Sequence, residues 1–208
     1  MSKIDDIRKH YVPRITPDRA NHDVLDWAGP DTQAARFEVL LRRVDLAGRS
    51  LLDVGCGLGD LAGLLRRRNI PVRYTGVDVV EEMLARARQA NPNERFLRAD
   101  MFHDDAADDP LGGETFDVVY CSGALNLNLG NNLEFLETAL PRLLRATRDV
   151  LMVNFLRARD AARDPTYFYY RPADVLSVLH TLLDENRVEI IEDYLPNDFT
   201  VLCRIGGK

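Results

Sequence analysis

Ten residues, Leu51-Leu52-Asp53-Val54-Gly55-Cys56-Gly57-Leu58-Gly59-Asp60, carry an apolar stretch into three alternating glycines and then into a helical pattern. An apolar run that ends in such a turn reads as a buried strand feeding a helix, with a backbone that a ligand can approach closely. The pattern then repeats. Strands are expected at 49–54, 72–79, 94–100, 116–123 and 148–156, with helices at 60–69, 81–90, 132–146 and 171–184 between and after them. Pro141 threatens to kink the third of these helices. Two last runs, 188–195 and 199–205, are split by Pro196-Asn197-Asp198 and read as a hairpin. Alternation with short connections requires a parallel sheet covered on both faces. The expected fold is α/β: a doubly wound, mainly parallel seven-stranded sheet closed by an antiparallel C-terminal hairpin strand. Ligands of such sheets bind at the carboxyl ends of the strands.

Upstream, residues 1 to about 30 are polar and broken by Pro13, Pro17, Gly29 and Pro30, and a helix is expected over 31–44. We read residues 1–46 as an N-terminal helical lid segment and 47–208 as the catalytic domain of a single-domain chain. The first ten residues lack the apolar run of a secretory leader, and no stretch is long and apolar enough to span a bilayer. Three cysteines without C-x-x-C spacing give no disulfide framework, so a cytoplasmic protein is expected. The formal net charge of −6 argues against a polyanionic partner, because nucleic-acid binding rests on neutralising phosphates.

Charge also separates the ligands that a glycine turn can hold. The dinucleotide pattern G-x-G-x-x-G/A, started at Gly55, fails at Asp60. Asp53, two residues before the first glycine, would repel a pyrophosphate. It suits S-adenosylmethionine, which carries an ammonium and a sulfonium and no phosphate. Asp78, at the end of the second strand, can accept hydrogen bonds from ribose hydroxyls, or cap the helix that begins at Glu81. Asp100 ends the third strand, where it can accept from an adenine amino group while Met101 packs on the ring, or stand as a solvated loop acid.

LLDVGCGLGD, GVDVVEEML, FLRADMF and FDVVYCSGALN, in this order and spacing, resemble the motifs of class I S-adenosylmethionine-dependent methyltransferases. The resemblance covers residues 46 to 155 in motif detail and implies a Rossmann-like methyltransferase fold. It implies that Gly55, Cys56, Gly57 and Gly59 bend around the methionine part of the cofactor and that Asp53 fixes its ammonium. Asp78 and Val79 would meet the ribose, Asp100 and Met101 the adenine, and Cys121, Ser122 and Gly123 the sulfonium.

Methyl transfer from a sulfonium is an in-line displacement whose sulfur leaves neutral, so positioning and exclusion of water can supply much of the acceleration. No catalytic side chain is assigned. His10, His22, His103 and His180 are scattered, and no metal site is expected. The chain reads Cys121-Ser122-Gly123-Ala124 where amino methyltransferases of adenine or protein glutamine carry Asp/Asn-Pro-Pro-Tyr/Phe, and it has no Pro-Cys pair for cytosine C5 chemistry. Two regions could surround an acceptor. One is the N-terminal segment, with Tyr11, Arg14, Trp27 and Arg36. The other is residues 155–171, with Arg157, Arg159, Arg163 and the run Tyr167-Phe168-Tyr169-Tyr170, near Asn126, Asn128 and Asn154. Tyr11, Trp27, Arg36, Asn126, Asn154, Tyr167 and Tyr169 are the acceptor candidates. These aromatics could equally be core. The expected activity is methylation of a small molecule, with no DNA and RNA disfavoured. An RNA or protein methyltransferase, or a non-catalytic cofactor-binding partner subunit, is the alternative.

Overall fold

The computed structural model describes residues 3–102, 110–159 and 164–206. His103 and Arg163, singled out above, lie outside the described residues. The chain is α/β, and its seven strands form one mixed sheet, mostly parallel, with antiparallel C-terminal strands. It divides into two compact units, residues 1–100 and 101–208.

The first unit holds helices α1 (Lys3–Tyr11), α2 (Asn21–Val24) and α3 (Pro30–Arg43), then β1 (Ser50–Val54), α4 (Asp60–Arg67), β2 (Arg73–Asp78), α5 (Glu81–Ala90) and β3 (Arg95–Arg98). Its strands are parallel in the order β3-β2-β1, with Asp53 opposite Gly76 and Val54 opposite Val77. Every residue of β1 is buried, as the unbroken run Ser50-Leu51-Leu52-Asp53-Val54 requires of a central strand. Helix α4 stops where Asn69 turns left-handed (φ 54°) and the Ile70 N–H reaches back to the Leu65 carbonyl, just before Pro71. Helix α5 starts acidic (Glu81, Glu82) and ends basic (Arg88), in line with its dipole.

Helix α1 falls within a stretch whose polar composition gives no helix signal. Ile7 and Tyr11, with Val12 and Ile15 after them, pack on Val24, Leu58, Val80 and Met83. The N-terminal segment therefore lies over the glycine turn, to which Leu58 belongs, and over the start of α5.

The second unit holds β4 (Phe116–Ser122), α6 (Asn132–Ala146), β5 (Thr147–Leu156), α7 (Pro172–Leu179), β6 (Val188–Ile191) and β7 (Asp198–Arg204). Strands β4 and β5 are parallel, and β7 runs antiparallel between β5 and β6, which bears out the hairpin. Helix α6 passes through Pro141 unbroken. The carbonyl that Pro141 cannot bond is that of Glu137, which is exposed and can be hydrated instead.

Candidate functional site

The glycine turn is held by the strand beside it. The N–H groups of Gly55 and Cys56 both donate to the Val77 carbonyl, at 2.8 and 3.0 Å. Gly57 (φ 53°) then donates its N–H to Asp78 Oδ2 at 2.9 Å, while Asp78 Oδ1 accepts the Val80 N–H at 2.9 Å. Asp78 thus braces the turn and opens α5. A carboxylate has about four acceptor positions, so these backbone bonds leave Asp78 room to accept from a ligand hydroxyl. Gly59 (φ 76°) starts α4 in the left-handed region, and a Cβ there would stand 2.9 Å from Asn91 Nδ2.

Three carboxylates surround this turn. Asp53, 5% exposed, accepts the Tyr74 hydroxyl at 2.6 Å. Its carboxyl is raised to about 7, first by desolvation, against the Tyr74 hydrogen bond, and then by the charges of Asp78 and Asp60. Asp78 is raised too, by desolvation opposed by its backbone hydrogen bonds. Asp60 accepts Asn21 Nδ2 at 2.5 Å and Gln33 Nε2 at 3.0 Å. All three have neutral hydrogen-bond donors and, among the described residues, no lysine, arginine or histidine partner. The first unit therefore presents a negative, glycine-lined cradle without its own counterion, suited to a cation.

The N-terminal segment is fastened over this cradle. Besides the Asp60 contacts, Arg8 makes a two-pronged ion pair with Glu82 at 2.7 and 3.0 Å, which lowers the Glu82 carboxyl. Leu25 sits so close over Gly57 that a Cβ there would lie 2.8 Å from Leu25 Cδ2. Tyr11 lies near enough to Asp78 and Asp26 that, after desolvation, their charges help push its phenol well above its usual range. The Arg36 guanidinium, on a residue 5% exposed, stacks 4.2 Å from the Trp27 ring centroid. Tyr11, Trp27 and Arg36 are thus all part of the first unit. Asp100 is half-buried at its end, and Val79 is half-buried beside Asp78.

In the second unit, Cys121 and Met101 are buried, Ser122 ends β4, and Gly123 (φ 82°) follows it. The segment after Asp164 is laced to the loop that follows. Phe168 N–H donates to the Asn126 carbonyl at 2.8 Å, Asn128 N–H donates to the Thr166 carbonyl at 2.9 Å, and Leu127 bridges Tyr167. Tyr170 is core, packed on Phe155 and Phe168, with its hydroxyl donating to the Leu125 carbonyl at 2.7 Å. Tyr167 and Tyr169 stay half-buried. Asn154 is fully inside the sheet, with Nδ2 donating to the Tyr194 hydroxyl at 2.8 Å and to Asp198 Oδ2 at 3.1 Å. Cys56 and Cys203 are buried free thiols pushed up by desolvation, Cys203 to about 12.

Tyr74 has no place in the sequence motifs. A signal for it exists: in the parallel register Asp53 stands opposite Gly76, and Tyr74 lies two residues earlier on the same face of β2. Asn21, Leu25 and Gln33 come from a segment whose docking only tertiary contacts reveal.

Residues 51–151 match the family model of a methyltransferase domain. Over 106 residues the chain is 40% identical to trans-aconitate 2-methyltransferase of Delftia acidovorans, covering 50% of this chain and 36% of that protein. Over 108 residues it is 37% identical to the protein of the same name from Paracidovorax citrulli, covering 51% and 38%. The chain thus spans little more than a third of the length of these relatives. The fold matches magnesium protoporphyrin IX methyltransferase from Synechocystis, solved with bound SAM, at a TM-score of 0.64 and 17% identity, covering 99% of this chain and 92% of that one.

Proposed function

Residues 51–151 of this chain match the family model of a methyltransferase domain, and we propose that the chain is a class I S-adenosylmethionine-dependent methyltransferase that binds its cofactor in the acidic glycine cradle and transfers the methyl group to a small-molecule acceptor. The observation that carries the proposal is the trio Asp53, Asp78 and Asp60, gathered at a glycine turn and, among the described residues, hydrogen-bonded only by neutral groups. A dinucleotide's diphosphate would add negative charge to that trio. The ligand's ammonium would remove the repulsion.

In this reading Asp53 receives the ammonium, with Tyr74 fixing its orientation. The turn at Gly55, Cys56, Gly57 and Gly59 admits the methionine chain. Asp78 accepts the ribose hydroxyls with the lone pairs its backbone bonds leave free. Asp100 with Met101 takes the adenine, and Cys121, Ser122 and Gly123 border the sulfonium. Residues 1–46 serve as the lid: Arg8, Asn21, Gln33 and Leu25 hold them over the turn, which excludes water from the donor. The cofactor supplies an activated methyl group, and the chain supplies orientation and desolvation. A small acceptor accords with the named relatives, two of which are trans-aconitate methyltransferases. The net charge and the acidic cradle both disfavour RNA. Three buried free thiols accord with a cytoplasmic protein.

The test is incubation with methyl-labelled S-adenosylmethionine and a pool of small metabolites, followed by mass identification of the labelled product. Label transfer that requires the intact Asp53 and Asp78 supports the proposal. Binding without turnover on any pool would favour a cofactor-binding subunit, and transfer to RNA or protein alone would favour the macromolecular reading.

A further inference from the structure

Asn126 is 3% exposed and bonded at three of its four polar groups. Its N–H donates to the Gly123 carbonyl at 3.1 Å, and its carbonyl accepts the Phe168 N–H at 2.8 Å. Its side-chain Oδ1 accepts the Leu156 N–H at 3.1 Å. That last bond fixes the amide: only the oxygen can face a backbone donor, so the NH2 end must point the other way. There Nδ2 is buried and has no hydrogen-bond partner. Four residues earlier, at the end of β4, the Ser122 hydroxyl is also buried and unpartnered. A buried donor left without a partner forfeits its hydrogen bond to water, so two such donors four residues apart, one of them locked in orientation, are a costly arrangement without a ligand.

Resting on the methyl-transfer reading above, we infer that Asn126, aided by Ser122, is the acceptor's receptor, and that the acceptor presents a carboxylate oxygen to it. Both groups are available as neutral hydrogen-bond donors. An amide NH2 cannot accept a hydrogen bond, so an amine or hydroxyl offered as a donor finds no partner at Nδ2. A carboxylate oxygen, with two lone pairs and a charge, matches it. Neutral donors also orient an anion without cancelling its charge, which leaves it nucleophilic. The step balances without a base. A carboxylate lone pair forms the O–CH3 bond as the S–CH3 bond breaks, and the electron pair of that bond stays on sulfur. The products are a methyl ester and a neutral thioether, and no proton moves. That accords with a site for which no general base is assigned.

Asn126→Asp is the discriminating change. It keeps an oxygen for the Leu156 N–H, so the loop retains its anchor, and it replaces the inward NH2 with a carboxylate oxygen. The assay uses methyl-labelled S-adenosylmethionine with short di- and tricarboxylic acids, each beside its amide. Alkali releases methyl esters as volatile labelled methanol, whereas N-methyl, C-methyl and ether products keep the label. The wild type is expected to yield alkali-labile label from acids and none from amides. Asn126→Asp is expected to lower kcat/KM for the acid by at least about 100-fold, from the lost donor and the new like charge. S-adenosylhomocysteine affinity should change little, and a cooperative melt of the same samples, lowered by the buried carboxylate but above the assay temperature, shows that the variant is folded. Alkali-stable label, equal use of amides, or an Asn126→Asp enzyme as active as wild type on the acid would overturn the inference while leaving the methyltransferase reading intact. Failure of the wild type to bind the donor would instead remove that reading.

Discussion

If Asp53 receives the ligand's ammonium, binding must expel a proton. The free carboxyl is raised to about 7, chiefly by desolvation, so near pH 7 about half of the molecules hold Asp53 protonated. An ammonium beside it favours the ionised form. S-adenosylhomocysteine should then release about half a proton per molecule bound near pH 7, and roughly 0.9 near pH 6. The apparent affinity should fall about tenfold from pH 8 to pH 6. The assay is titration calorimetry in buffers of differing ionisation enthalpy, whose heat difference counts the proton. Asp53→Asn keeps an oxygen for the Tyr74 hydroxyl and has nothing to release. Its proton count should vanish over this range, and its affinity should drop about 10- to 100-fold for a lost charged hydrogen bond. Stability follows the same linkage. A carboxyl raised from 3.8 to about 7 contributes stability that is whole below pH 3.8 and is lost as pH rises through 7. Asp53→Asn should therefore flatten the decline of the ligand-free protein across that window. Wild-type binding with no proton release near pH 6, or equal release by Asp53→Asn, would show that Asp53 does not receive the ammonium.

Tyr74→Phe removes the side-chain hydrogen bond that stabilises the Asp53 anion, so the pH midpoint of ligand binding should move upward; an unmoved midpoint in the same titration would contradict this role. Gly57→Ala forces a side chain into φ 53° and to 2.8 Å from Leu25 Cδ2, and should cost about 1–2 kcal/mol in denaturant melts while weakening cofactor binding. Arg8→Ala breaks a partly exposed ion pair, so global stability should change by less than about 1 kcal/mol. Its effect should appear locally, as faster amide exchange in residues 3–11 with the remainder unchanged.

The glycine turn, the strand–helix alternation and the closing hairpin were legible because each rests on local chemistry: apolar runs, glycines, and the Pro-Asn-Asp break. Asp53 and Asp78 were legible as carboxylates at strand ends. Their partners were not, because Tyr74 reaches Asp53 through the parallel register and Asp78 reaches Gly57 across 21 residues. Helix α1 was hidden because Ile7 and Tyr11 gain their meaning only against Leu58, Val80 and Met83. For Asn126 the residue type suggested hydrogen bonding, but its direction depends on the Leu156 N–H, 30 residues away. The aromatic run divides in the same way. Burial assigns Tyr170 to the core, whereas Tyr167 and Tyr169 remain partly open.

In the reading proposed, the cradle around Gly55–Gly59 receives a cationic adenosyl ligand and rejects a diphosphate. Parallel calorimetric titrations of the wild-type chain with S-adenosylmethionine and with NAD+ test it most directly. Saturable binding of the first, weakened by Asp53→Asn, and no heat from the second are expected. Saturable binding of NAD+ with no response to S-adenosylmethionine would contradict it.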